Sequence, residues 1–376
     1  LPLLDVSNST KLTRLDCRRN RLTSLNMNNN VELTNLCCFD NLITSLDVSE
    51  NVKLTDLSCH DNLLKSLDVS NNIRLTYLDC DRNQLTSLDL NNNRILQYLD
   101  CSVNLLTSLD LRRNTQLTYL DCRTRNQFTT LDVSRNVKLT ELYCSNNQLI
   151  TLDVSNNTAL TTLECYNNQL TALDVSKNIE LTTLSCYNNQ LTSLDVGNNT
   201  KLVGISCATQ SIEIIVANRK SKAFDMHALI PEENLSKVTI DPGIGTYDPE
   251  TGIITFNAER TSFKYYYDIG KNGRTMDVTA TLKMHEHTYG DYVSNGDGTH
   301  TRHCTFDGCT DTETENCSGG TATCKDKAVC EICGEEYGEL AAHSYTEAAT
   351  VEHLKSAATC TRKAVYYKSC SEGGVN

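Results

Sequence analysis

The stretch Leu75–Ile95, LTYLDCDRNQLTSLDLNNNRI, decides the fold, because its neighbours on both sides repeat it. Aligned on the cysteine, Cys17, Cys38, Cys59, Cys80, Cys101 and Cys122 are spaced by 21 residues. One extra residue near Thr124 displaces the next to Cys144, and the interval of 21 returns at Cys165, Cys186 and Cys207. An asparagine follows three positions later in most units (Asn20, Asn41, Asn62, Asn83, Asn104), shifted once to Asn126, and then Asn147, Asn168 and Asn189. Leucine stands two residues before each cysteine, from Leu15 to Leu184.

A residue set that returns at one fixed interval needs a chain that returns to the same place each turn, which predicts a mainly β solenoid with 21-residue coils. The leucines point inward, and each contributes on the order of 1.5–3 kcal/mol on burial. The inward asparagine must have its amide satisfied, so it is expected to bracket the bend and the adjacent coil. Two strand-like halves are expected per coil, paired between coils at about 4.8 Å.

The pattern L-x-x-L-x-C-x-x-N-x-L resembles the leucine-rich repeat, and the 21-residue length with cysteine at an inward position resembles the internalin class of Gram-positive surface proteins. The resemblance covers residues 1–207 and implies binding of host surface components outside the cell. In-register thiols on parallel strands approach each other poorly for a bridge, so the cysteine ladder is expected to fill the core as small hydrophobes. Cys37, beside ladder member Cys38, is expected to be an exposed thiol.

Composition excludes several partners. A net charge of -13 argues against nucleic acid and against anionic membranes, both of which need a basic face. No apolar run reaches the roughly 20 residues of a spanning helix. The chain opens at Leu1 inside a repeat and ends at SCSEGGVN, which reads as a fragment lacking its start and any export signal.

The rungs serve as an alignment within one molecule. In the second half of each coil the outward positions hardly change: Ser24, Ser45, Ser66, Ser87 and Ser108, and the aspartates Asp47, Asp68, Asp89, Asp110, Asp132, Asp153, Asp174 and Asp195. A flat carboxylate column converges poorly on calcium, so neighbouring hydrogen bonds are expected to offset its repulsion. In the first half the outward positions vary. Tyr77, Tyr98 and Tyr119 share a column beside Asp79, Asp100 and Asp121, followed diagonally by Tyr143, Tyr166 and Tyr187. Tyrosine offers rigid apolar area with a polar tip, so this track is the expected ligand-binding face, suited to a glycan or a basic protein patch. Replacing Tyr98 and Tyr119 with alanine is expected to abolish capture without lowering the melting temperature. A uniform stalk that presents another domain is the alternative.

After Cys207 the texture changes. The runs SIEIIVANR, SKVTID, GIITFN, FKYYYDIG and TMDVTATLKM, with YDPETG and GKNG between them, predict hairpins. Residues 208–285 are therefore expected to form a small β or immunoglobulin-like domain capping the open end of the solenoid, and it resembles the β domain that follows internalin repeats.

Residues 286–376 hold the other eight cysteines in a second repeat, seen in TATCKDKAVCEICGEEYG and AATCTRKAVYYKSCSEGG. Zinc takes four thiolate or imidazole ligands, two of them from one C-x₂₋₄-C knuckle. The expected sets are His287, His300, Cys304 and Cys309, then Cys317, Cys324, Cys330 and Cys333. A third, with His343, Cys360 and Cys370, has Gly373 in place of its fourth ligand and is expected to be metal-free. Disulfides would serve the same need outside the cell; the recurring histidines favour structural zinc in zinc-ribbon-like modules. The tail resembles Cys-rich repeats of surface proteins from gut Firmicutes. No Ser-His-Asp set, phosphate loop or H-E-x-x-H helix occurs, so a non-enzymatic binding protein is expected.

Overall fold

The computed structural model describes residues 1–216, 222–307, 309–323, 326–342, 345–346, 354–356, 365–366 and 369–370. Its chain divides into two compact units, one of residues 1–214 with 220–282, the other of residues 215–219 with 283–376.

The first unit is built on ten three-residue strands in one parallel sheet that follows chain order: β1 (Arg14–Asp16), β2 (Asn35–Cys37), β3 (Asp56–Ser58), β4 (Tyr77–Asp79), β5 (Tyr98–Asp100), β6 (Tyr119–Asp121), β7 (Glu141–Tyr143), β8 (Thr162–Glu164), β9 (Thr183–Ser185) and β10 (Gly204–Ser206). Each central leucine is in register with the next, as in Leu78 with Leu99 and Leu99 with Leu120. That leucine and the cysteine two residues on point inward. The thiols from Cys38 to Cys186 are fully buried, and only the end members Cys17 and Cys207 are 5% and 6% exposed.

The asparagine bracket closes as its chemistry requires. Asn41 Nδ2 donates to the carbonyl oxygens of Cys17 and Cys38 at 3.1 and 3.0 Å, while its Oδ1 accepts the Leu22 N–H at 3.0 Å. The residue before the bracket adopts the left-handed conformation coil after coil, including Asp61, Val103, Asn146 and Asn188. In the 22-residue coil, Thr124 and Arg125 are both left-handed, at φ 59° and 64°. Together they absorb the extra residue, and Leu120 still pairs with Leu142.

The second halves of the coils form no strands, contrary to the sequence reading. Their outward serines and aspartates favour local turns over a ladder. Each column aspartate accepts a backbone N–H two residues on, as Asp68 does from Ser70 at 2.9 Å and Asp153 from Ser155 at 2.9 Å. A second asparagine column holds this side together. Asn72 Nδ2 donates to Val48 and Asn51 carbonyl oxygens, each at 3.0 Å, and the motif recurs from Asn30 to Asn199.

The chain then leaves the last coil in β11 (Gln210–Val216) and builds two small sheets. With β12 (Ala223–Asp225), β13 (Val238–Ile240), β14 (Gly245–Asp248), β15 (Ile253–Phe256), β16 (Ser262–Asp268) and β17 (Thr275–Met284), the strand orders are β11-β17-β16-β13 and β12-β15-β14. Their core is Tyr265, Tyr267, Val278, Ile254 and Phe256, all buried. These sheets pack on the final coils: the Tyr265 hydroxyl donates to the Thr192 carbonyl at 2.9 Å, Val196 N–H to Ile269 O at 3.0 Å, and Lys237 pairs with Asp195 at 2.8 Å. Open strand edges and core leucines at a solenoid end need such cover.

The second unit carries a three-stranded antiparallel sheet of β18 (Val293–Ser294), β19 (Thr299–His303) and β20 (Thr312–Asn316), and a hairpin of β21 (Ala328–Val329) with β22 (Glu336–Tyr337). Among the described residues no helix is long and apolar enough to cross a membrane.

Candidate functional sites

The sheet β1–β10 presents three outward columns: the first and third strand positions and the residue after each cysteine. Parallel pairing places equivalent side chains side by side, so aromatic residues in one column meet face to face. Tyr77 and Tyr98 stack with centroids 4.3 Å apart, and Tyr98 and Tyr119 at 4.2 Å. Tyr143 continues the track, tilted, 5.5 Å from Tyr119; Tyr166 and Tyr187 stack separately at 4.6 Å in the column after the cysteines. Because neighbours occupy the faces of Tyr98, the stack offers ring edges and hydroxyls outward.

Beside it lie the carboxylates. Asp79 and Asp100 are half-buried, and among the described residues neither pairs with a lysine or arginine. Asp79 has His60 Nε2 at 3.7 Å. Asp121 is only 1% exposed and is held by Arg123 at 2.9 Å. Arg123 also reaches Glu164 at 3.2 Å and lies over the Tyr143 ring at 4.9 Å, so this part of the face is internally satisfied. Burial, then the neighbouring Asp100, pushes the Asp121 carboxyl up to about 7.

Sequence reasoning missed two members of this face. Asp81 is 7% exposed, and burial with Asp100 and Asp79 nearby pushes its carboxyl up to about 7. His60 Nδ1 lies 3.5 Å from Asp81 and 3.1 Å from Asp61, and its ring stacks on Phe39 at 4.1 Å. His60, Asp79 and Asp81 bring a ligand atom each within 4.8 Å of one another. The column after the cysteines, followed back from Tyr166 through Arg123 and Asp81 to His60 and Phe39, is the signal that would have found them.

In the second unit the structure regroups the expected metal ligands. One set is His285, His287, Cys304 and Cys309; the other is His300, Cys317, Cys330 and Cys333. His300 therefore leaves the first set, where the sequence order had put it, and His285 enters. The reason is topological: His300 lies inside β19, on the side facing Cys317, whereas Cys304 follows the end of that strand. Cys324, His343, Cys360 and Gly373 lie outside the described residues, and Cys370 falls in a two-residue strand, Ser369–Cys370.

The spacings of the second set fit a tetrahedral ion. With Zn–S about 2.3 Å and Zn–N about 2.0 Å, tetrahedral edges are about 3.8 Å for S···S and about 3.5 Å for S···N. Cys317 and Cys333 sulfurs are 3.8 Å apart, and His300 Nδ1 lies 3.7 Å from Cys317 and 3.5 Å from Cys330. In the first set His285 Nε2 lies 3.1 Å from Cys304 and His287 Nδ1 lies 3.8 Å from Cys309. These groups could hold a metal.

No protein-family profile matches the chain, and no curated protein does. The chain is 30% identical to the functional domain of InlJ from Listeria monocytogenes, a structure that includes a cysteine ladder, across 74% of this chain and 83% of that one, with a TM-score of 0.42. This chain belongs to the internalin-type leucine-rich-repeat proteins. The internalin InlF of L. monocytogenes is 26% identical across 55% of this chain and 64% of its own, with a TM-score of 0.51. A leucine-rich-repeat protein of Leptospira interrogans, LIC12759, is 24% identical across 55% and 56% with a TM-score of 0.50, a likeness of fold. The chain thus spans less than two thirds of those two structures. As an internalin-type solenoid it carries its sequence variation on the sheet, where the tyrosines and carboxylates lie.

Proposed function

We propose that this internalin-type chain is a non-catalytic, adhesin-like binding protein of the cell surface or extracellular space. Its sheet face, Tyr77 to Tyr119 with Asp79, Asp81 and Asp100, takes up a protein or glycan ligand of host or environmental origin. The observation that carries this reading is the pairing state of the face: aromatic edges stand beside Asp79 and Asp100, which lack a lysine or arginine partner among the described residues. A basic protein segment suits this arrangement better than a sugar, because a sugar stacks on ring faces and those of Tyr98 are taken by its neighbours. The uniform Ser and Asp columns of the opposite side fit the alternative, a stalk that presents another domain.

The test is capture from glycan and host-protein arrays by the full chain, repeated with Asp79→Asn and Asp100→Asn together. Loss of a captured partner in the double variant supports the binding face. Equal capture by both proteins refutes it.

We infer that the His/Cys sets of the second unit hold structural zinc in preference to disulfides. The support is the donor chemistry: a Cys3His set with near-tetrahedral edges leaves an odd thiol under any pairing within it. Elemental analysis of the purified chain decides the matter.

A further inference from the structure

The described residues of the second unit form no apolar interior. Its three sheet strands read VS, THTRH and TETEN. Among its described residues the buried ones are His285, His300, Cys304, Cys317, Ala328 and Cys330. All but Ala328 belong to the two His/Cys sets. A unit whose interior is its ligand groups has almost no hydrophobic term to offset the entropy of ordering the chain, so its crosslinks must supply that term.

The connectivity shows how the crosslinks act. β19 carries His300 of one set and runs directly into Cys304 of the other. β20 begins shortly after Cys309 of the first set and runs directly into Cys317 of the second. At one end of this hairpin Cys304 N–H donates to Asp311 O at 3.0 Å, and at the other Cys317 N–H donates to Gly298 O at 2.8 Å. The two sets therefore sit at opposite ends of the same two strands, separated by the roughly 17 Å that five extended residues span.

We propose that the two sets are linked zinc sites of different class, Cys2His2 and Cys3His, that clamp the two ends of the β19–β20 hairpin, so that the unit folds only with both ions bound. The proposal rests on the zinc reading above and adds the ligand partition and the coupling. Metal binding and folding are one equilibrium where no core exists without the ion. An ion at one end orders the strands and thereby presents the ligands of the other end. Loss of either site weakens its partner.

The test uses the full chain, purified under reducing conditions, with Cys309→Ser for the first site, His300→Ala for the second, and His303→Ala as a control. His303 lies on β19, is exposed and belongs to neither set. The readouts are zinc per chain and protease cleavage within residues 283–342. Each site variant is expected to lose more than one zinc equivalent relative to the parent and to become cleavable throughout this segment, while the His303 variant matches the parent. Loss of one equivalent with continued protection overturns the coupling and leaves the zinc reading intact. Unchanged metal content in both site variants overturns the zinc reading itself.

Discussion

The side-chain amide of Asn104 donates to the Cys80 carbonyl oxygen, 3.0 Å away in the preceding coil. It also donates to Cys101 O at 3.2 Å, while its Oδ1 accepts Leu85 N–H at 2.9 Å. Asn104→Ala leaves the buried Leu85 N–H without its acceptor, while the Cys80, Cys101 and Ser102 carbonyls keep the Asn83 amide, the Asn126 amide and the Arg82 N–H. A buried group left unsatisfied costs about 1–3 kcal/mol, so the variant is expected to lose roughly 1–3 kcal/mol in denaturant unfolding. A loss below about 1 kcal/mol would show that water or relaxation replaces the bracket.

Val103 occupies the left-handed corner at φ 49°, where other coils place Asn146, Asn167 and Asn188. A β-branched residue pays for this conformation and asparagine tolerates it. Val103→Asn is expected to stabilise the chain by about 1 kcal/mol, seen as a higher melting temperature.

These two positions show what was legible in the sequence. The Leu, Cys and first Asn columns recur alone at fixed places, so the coil and its bracket could be read directly. The second column, Asn72 and its equivalents, was hidden among the adjacent asparagines and serines of the DVSNN run, where spacing does not tell which amide turns inward. Gln210 was missed because its identity changes: it performs the bracket's work on the last rung, donating to Cys186 and Cys207 carbonyls at 3.0 and 2.9 Å. The exchange of His300 for His285 was beyond reach because linear order does not say which end of a hairpin a strand residue faces.

Asp79→Asn with Asp100→Asn keeps an oxygen that can accept the local backbone N–H, as Asp100 does from Ser102 at 2.9 Å. The pair is expected to leave the melting temperature unchanged or slightly raised and to weaken binding of a basic partner at least tenfold in a titration. Alanine at Tyr98 and Tyr119 is a poorer probe than the sequence suggests. Tyr98 stacks on both neighbours, and each aromatic pair contributes about 0.5–1.5 kcal/mol, so that variant is expected to lose stability as well.

Asp81 and Asp121 have carboxyls pushed up to about 7 by burial and by each other's neighbours. Their folded values lie above the unfolded one, so the fold binds more protons than the unfolded chain between about pH 4 and 7, and stability falls as pH rises through this window. The melting temperature is expected to be higher at pH 5 than at pH 8, with the difference reduced in Asp81→Asn. The turn aspartates act oppositely: Asp68 and Asp153 are held below the usual carboxylate value by the N–H and hydroxyl of Ser70 and Ser155. Their contribution is lost only as pH falls below about 4.

Among the thiols of the solenoid, Cys37 is partly exposed whereas Cys38 beside it is fully buried. Alkylation of the folded chain is expected to modify Cys37 and spare the ladder from Cys38 to Cys186 until the protein is denatured. Mass mapping of labelled peptides checks this; early labelling of Cys101 would contradict the packed ladder.

The corner at Thr124 and Arg125 takes in one surplus residue while the rungs on either side stay aligned. Length at that corner is decoupled from the stacking of the coils, much as a staircase tolerates a wider landing without moving its steps. A foreign peptide grafted between these two residues would therefore be displayed at the rim of an intact scaffold, which makes this corner a ready attachment point for cargo.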